Sequence, residues 1–336
     1  MRFDNEATGI GSVPFKDPRV SCELIFEHFP AIPFWPQLPK RSFLEHMYVQ
    51  YSEGMPGIVI DEKKKTVHVD ATRALTELEG IYAKFLEGDT SFFKVSEDYA
   101  EGFYVFSDSF TRSSRAPKCV KGHITGPISL ALGITDEKKR SIIHDKDIFE
   151  GITKVLAMKA RWQARELKRL CENVIIFIDE PYLVSIGSSY VTINIGEAFQ
   201  ALDEVIAAIH EEGALAGIHC CGNTDWQLIL KREIDIVNFD AYNFVKEFSL
   251  YAKDVDAFLK KGGTIAWGII PSSDEVRKES PQTLQKRLKD ARRLLVAKGV
   301  TDDMSSIITP SCGAGTLSED AARTIFTLAA ALSGKG

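Results

Sequence analysis

The run Gly217-Ile218-His219-Cys220-Cys221-Gly222-Asn223 puts an imidazole and two thiols at three consecutive positions. Its apolar lead-in, Leu215-Ala216-Gly217-Ile218, reads as a short buried strand between helical patterns over 197–212 and 225–232. Alternate residues of a strand share a face, so His219 and Cys221 point one way and Cys220 the other. A His-x-Cys pair on one face supplies two ligands for a soft divalent metal, zinc above all. Taken alone, the run fits two buried thiols beside a core histidine equally well.

Other strand-like runs end in groups that can join such a site. They bring Ser12, Trp35, His123, Asp179 with Glu180, Asp240 and Cys312. Two thiolates, one imidazole and Zn2+ sum to about zero charge and leave a fourth position open, as expected of catalytic zinc. Asp240 is the candidate fourth ligand; capping the next helix is its alternative use. A metal-held thiol is deprotonated at neutral pH and can attack an electrophilic carbon. Asp179 and Glu180 are placed to hold an ammonium group, or else to cap a helix. Backbone N–H groups around Gly11 and Ser12 can hold a carboxylate, or form an ordinary tight turn. His123 can move a proton, or serve as a buried structural histidine. A small amino acid with a thiol side chain satisfies the metal, the carboxylates and the turn together.

The elements that must position these residues alternate between strand-like runs and helical patterns. Strands are expected near residues 8–11, 31–36, 118–124, 174–179, 215–219, 234–240, 264–270 and 306–310, with helix-like stretches between them. The prolines at 33 and 36 weaken the second strand. Residues 57–115 read as an insertion between the second and third strands: a hairpin with a solvated lysine turn at 62–65, then two helical patterns. Eight alternations match a (β/α)8 TIM barrel, which runs to ~250 residues before insertions. Gly9-Ile10-Gly11-Ser12-Val13-Pro14 ends in proline instead of opening a helix, so no dinucleotide fingerprint supports an open doubly wound sheet. The expectation is an α/β chain forming one catalytic domain over 1–336, with chemistry at the C-terminal ends of its strands.

Composition narrows the partners. The 336 residues are 44% hydrophobic and 26% charged, which permits a large core. A net charge of −6 argues against nucleic acid or membrane bound through bulk charge. No apolar run long enough to span a bilayer occurs, and the polar N-terminus does not read as a signal peptide. Six cysteines in this length are too few for a disulfide scaffold, so a cytoplasmic setting is expected.

Five segments, in the same order along the chain, resemble the catalytic C-terminal half of cobalamin-independent methionine synthase and the wider uroporphyrinogen-decarboxylase-like group. They are Ile10-Gly11-Ser12-Val13-Pro14, Ile124-Thr125-Gly126-Pro127, Ile178-Asp179-Glu180-Pro181, His219-Cys220-Cys221-Gly222-Asn223 and Pro310-Ser311-Cys312-Gly313. The resemblance implies zinc on His219, Cys221 and Cys312, with Asp240 nearest the place of the family's glutamate ligand. It implies that Ser12 and Asp179 hold homocysteine. Full-length members carry a second, N-terminal barrel that helps bind polyglutamyl methylfolate. This chain opens on the catalytic half, so a methylated corrinoid protein or methylcobalamin is the expected donor. The alternatives are a corrinoid-dependent methyltransferase for another thiol such as coenzyme M, a uroporphyrinogen-decarboxylase-like lyase, and a non-catalytic zinc or corrinoid binder.

Overall fold

A computed structural model describes residues 1–113, 115–186 and 193–334. The first part of the chain forms β1 (Asp4–Ala7), α1 (Pro18–His28), α2 (Met47–Gln50), the hairpin β2 (Ile58–Asp61) and β3 (Thr66–Val69), then α3 (Ala71–Glu87) and α4 (Glu97–Thr111). The middle continues with β4 (Val120–Thr125), α5 (Pro127–Gly133), β5 (Thr135–Asp136), α6 (Lys146–Lys168), β6 (Val174–Asp179), α7 (Ile195–Glu211) and β7 (Leu215–Cys220). The rest is α8 (Trp226–Leu230), β8 (Ile236–Phe239), α9 (Ala241–Phe248), α10 (Ala252–Lys260), β9 (Thr264–Ile270), α11 (Pro281–Ala297), β10 (Ser305–Pro310) and α12 (Glu319–Leu332).

Seven strands form one parallel, curled sheet in the order β1-β10-β9-β8-β7-β6-β4, a TIM-barrel-like α/β fold. The gap between β1 and β4 is closed by the proline-containing segment 32–37. Before Pro36 it pairs with β4: Lys121 N–H donates to the Pro33 carbonyl at 2.9 Å and Trp35 N–H to the Lys121 carbonyl at 3.3 Å. After Pro36 it pairs beyond the end of β1: Gln37 N–H donates to the Gly11 carbonyl at 3.1 Å, and the Gln37 carbonyl accepts from Val13 N–H at 2.9 Å. Proline has no N–H for a ladder, so this eighth stave is a seam of isolated bridges rather than a regular strand.

The strands are buried on both faces, as a parallel sheet between helices and a filled barrel requires. Ile175, Phe177, Ile236, Ala266 and Ile307 fill the barrel, while a larger cluster fills the layer between sheet and helices. The hairpin β2–β3 joins β5 in a separate three-stranded sheet. Between the second strand position and the hairpin, helical structure is broken into a 3-10 turn at Phe43–Glu45 and the short α2. The cause is the buried Glu45, whose carboxylate accepts from Leu38 N–H at 3.0 Å and from the Arg41 guanidinium at 2.8 Å, drawing the chain around itself. Helix α9 was not apparent as a helical pattern; it is short and interrupted at Phe244.

Candidate functional site

Asp179, His219, Asn238 and Ala266 sit at matching register on β6, β7, β8 and β9, near the C-terminal end of the barrel. Cys221 follows β7, and Cys312 follows β10. Cys312 is set by Ser272, whose Oγ accepts from Cys312 N–H at 3.1 Å and donates to its carbonyl at 2.6 Å. One ligand atom from each of His219, Cys221 and Cys312 lies within 4.8 Å of the others, the one such His/Cys/Asp/Glu group among the described residues. Tetrahedral zinc with ordinary bond lengths separates its ligand atoms by roughly 3.6–3.8 Å. Small side-chain adjustments bring the three atoms to that spacing.

The imidazole is oriented for this use. Asn238 is fully buried, and its Nδ2 donates to the Ala266 carbonyl and to Thr309 Oγ1, both at 2.8 Å. A carbonyl only accepts, so the amide nitrogen must face Ala266 and the amide oxygen must face His219. His219 Nδ1 therefore donates to Asn238 Oδ1. That leaves the Nε2 lone pair for a metal, the arrangement that outer-shell partners impose on ligating histidines.

The electrostatics suit a cation. Hydrogen bonds from Cys312 and His219 outweigh burial and bring the Cys221 thiol down to about 4, so it is a thiolate. The same hydrogen bond, with burial, pushes Cys312 far up, since two adjacent sulfurs without a cation share one proton. Burial opposes protonation of His219, but hydrogen bonding to Cys221 and the charge of Asp179 raise it. Two soft sulfurs and an imidazole whose Nε2 would give up its shared proton to a metal form a donor set that fits zinc.

A cavity of about 230 Å3 opens over these groups, lined also by Ser12, Gln37, Met47 and Asp179. No lysine or arginine is among its described lining residues. Asp179 Oδ1 is buried with no hydrogen-bond partner among the described residues. Burial lifts its carboxyl to about 6, against the pull of His219 and Lys121. Lys121, which the sequence reading did not single out, lies inside the barrel below. Its ammonium donates to the Ile10 carbonyl at 2.5 Å and lies 4.3 Å from the Phe177 ring centroid. Ser12 is on the cavity wall, packed over Gly313, where any Cβ would lie 2.1 Å from its hydroxyl. Neither the Gly11 nor the Ser12 amide donates a hydrogen bond among the described residues.

Three expected site residues have other tasks. Glu180 is fully buried and accepts from Ile128 N–H at 3.0 Å and Ser129 N–H at 2.7 Å, satisfying the start of α5. It is a helix cap, and its oxygens are not on the cavity wall. Asp240 caps α9, accepting from Asn243 N–H at 3.0 Å and from the Asn243 side-chain amide at 2.7 Å. Its oxygens are absent from the three-ligand group. His123 is buried against Trp35, with ring centroids 4.0 Å apart, and burial holds it neutral. Its ring lies beneath Gly11, away from the cavity wall. Trp35 donates to Gln163 Oε1 at 2.8 Å and belongs to the core. Cys220 faces away from His219 and Cys221, with its thiol 3.6 Å from the Gly222 carbonyl.

No family model and no curated protein matches this chain. Solved structures do share its fold. A B12-independent methionine synthase from Shewanella sp. W3-18-1, in complex with selenomethionine, superposes with a TM-score of 0.59 at 13% identity, covering 99% of this chain and 97% of that one. A methyltransferase from Methanosarcina mazei gives 0.54 at 12% identity, covering 97% and 93%. An endo-1,4-beta-mannanase from Rhizomucor miehei gives 0.50 at 10% identity, covering 98% and 95%. At such identities the likeness establishes the barrel and leaves the chemistry to the site.

Proposed function

We propose that this chain is a zinc-dependent thiol methyltransferase that makes methionine from homocysteine, with a methylated corrinoid protein or methylcobalamin as donor. The observation that carries the reading is the meeting of His219, Cys221 and Cys312 with the unpartnered Asp179 carboxylate around one cavity. Zinc, when bound there, holds the substrate sulfur as a thiolate at neutral pH. Asn238 keeps the His219 lone pair available. The Asp179 carboxylate accepts from the substrate ammonium, and the Gly11 and Ser12 amides donate to the substrate carboxylate. Ile10, Pro39, Met47 and Pro181 keep the cavity walls apolar and limit water around the sulfur.

The same cavity disfavours the alternatives. A sulfonate thiol such as coenzyme M has no amino group for Asp179 and would meet no lysine or arginine among the described lining residues. A porphyrinogen needs basic partners for several carboxylates and far more than 230 Å3. Two of the proteins that share the fold carry names of methyl-transfer enzymes, in agreement with the reading; the mannanase is a reminder that the barrel alone does not decide it. All six cysteines are free, which suits a reducing compartment such as the cytoplasm. The reading treats 1–336 as one catalytic domain with 57–115 as its insertion.

The test is to incubate zinc-loaded protein with homocysteine and methylcobalamin, and to measure methionine by mass spectrometry. X-ray absorption at the zinc edge should gain one sulfur when homocysteine is added. Stoichiometric zinc with neither methionine nor an added sulfur overturns the reading.

A further inference from the structure

We propose that Gln37 is a substrate-binding acceptor for an ammonium group, and that its polarity is imposed from outside the cavity by Gln50 and the Tyr99 carbonyl. The inference rests on the thiol reading above and adds a device that selects aminothiols.

A glutamine side chain has nearly the same shape whichever way its amide is turned, so its hydrogen-bond network decides which end faces a ligand. Here the network begins at a group with no choice. The Tyr99 carbonyl can only accept, and Gln50 Nε2 donates to it at 2.7 Å. Gln50 Oε1 must then face the other way, where it accepts from Gln37 Nε2 at 2.8 Å. Gln37 Oε1 is left turned outward on a residue of the cavity wall, with no partner among the described residues. Gln50 is fully buried and Gln37 is 5% exposed, so turning Gln37 over would break its hydrogen bond to Gln50, and turning Gln50 over would break both.

The relay is built into the packing of α4 against the barrel seam. Ala100 has φ −151° and ψ 51°, a break in α4 directly after Tyr99, whose carbonyl accepts from Gln50. Gly102 lets the helix press directly on the seam, since a Cβ there would lie 2.0 Å from the Pro36 carbonyl oxygen. The Gln37 backbone is held on both sides by Gly11 and Val13. The cavity thus presents a carboxylate and an amide oxygen, Asp179 and Gln37, with no lysine or arginine among its described lining residues. An ammonium group is the chemistry that satisfies both.

The experiment measures binding by calorimetry to zinc-loaded protein, using homocysteine and 4-mercaptobutyrate, the same thiol without its amino group. Gln37→Met removes the acceptor, and Gln50→Met removes the group that orients it without touching the cavity wall. Each variant should bind homocysteine about tenfold more weakly, as loss of a hydrogen bond to a charged group implies. Each should bind 4-mercaptobutyrate within about twofold of wild type, because the lost partner is absent from that ligand. Thermal melts confirm that both variants fold. Equal loss for the two thiols, or no loss for homocysteine, overturns the assignment. If the wild type binds both thiols alike, the Gln37 assignment falls while the thiol reading stands. If it binds neither, the thiol reading falls and takes the assignment with it.

Discussion

Replacing Asn238 by leucine tests whether the imidazole of His219 is held for a metal. Leucine has the same branched outline and number of side-chain heavy atoms but a larger volume, so it fills the site while three hydrogen bonds are lost: those to His219, Ala266 and Thr309. His219 can then rotate or change tautomer, and its Nε2 lone pair is no longer fixed. Removal of such a partner costs about 10–100-fold in metal affinity, equivalent to roughly 1.4–2.7 kcal/mol. The buried Ala266 carbonyl also loses its side-chain donor, so global stability should fall by about 1–3 kcal/mol. The two effects are read separately: zinc affinity by competition with a calibrated chelator, stability by urea unfolding of the metal-free protein. Asn238→Asp discriminates further. Its carboxylate still accepts from His219 but faces the Ala266 carbonyl with no donor, so zinc affinity should survive better than stability. A folded Asn238→Leu protein with wild-type zinc affinity would refute the argument.

Three other outcomes are expected. Asp179→Asn should weaken homocysteine binding about 10–100-fold by removing the charged acceptor, and leave 4-mercaptobutyrate nearly unaffected, as paired calorimetric titrations will show. In metal-free protein, iodoacetamide should label Cys221 well before Cys312 at pH 6, because the former is a thiolate with a value of about 4 and the latter is pushed far up; peptide mass mapping reads the order. Burial raises Glu180 to about 7, against the hydrogen bonds from Ser129 and Ile128. The folded state therefore holds this proton more tightly than the unfolded chain, and its contribution to stability should decline as pH rises from about 4.5 to about 7. Glu180→Gln should flatten that part of the urea-unfolding profile and leave zinc affinity unchanged.

How much of this was legible in the sequence depends on the kind of interaction. Strand periodicity alone separates His219 and Cys221 from Cys220, because neighbouring side chains on a strand take opposite faces. The succession of apolar runs and helical patterns specifies a barrel, and a barrel brings strand ends 91 residues apart, such as Cys221 and Cys312, to one mouth. The proline seam was harder to place, since its pairing is made of single bridges whose partners, Gly11, Val13 and Lys121, lie far away in sequence.

The carboxylates mark the boundary most clearly. Asp179, Glu180 and Asp240 all stand at strand ends, and nothing in their spacing distinguishes them. The tertiary structure does so by what it supplies nearby: two helix-start amides for Glu180, the Asn243 amides for Asp240, and no partner among the described residues for Asp179 Oδ1. The orienting roles of Asn238 and of the Tyr99–Gln50–Gln37 relay were equally invisible, because an amide's direction depends on acceptors that only the folded chain brings beside it. Residue type and period determined which groups could reach the site. Folding decided which of them remained free to act, because a polar group inside a protein is defined by the partner it has or lacks.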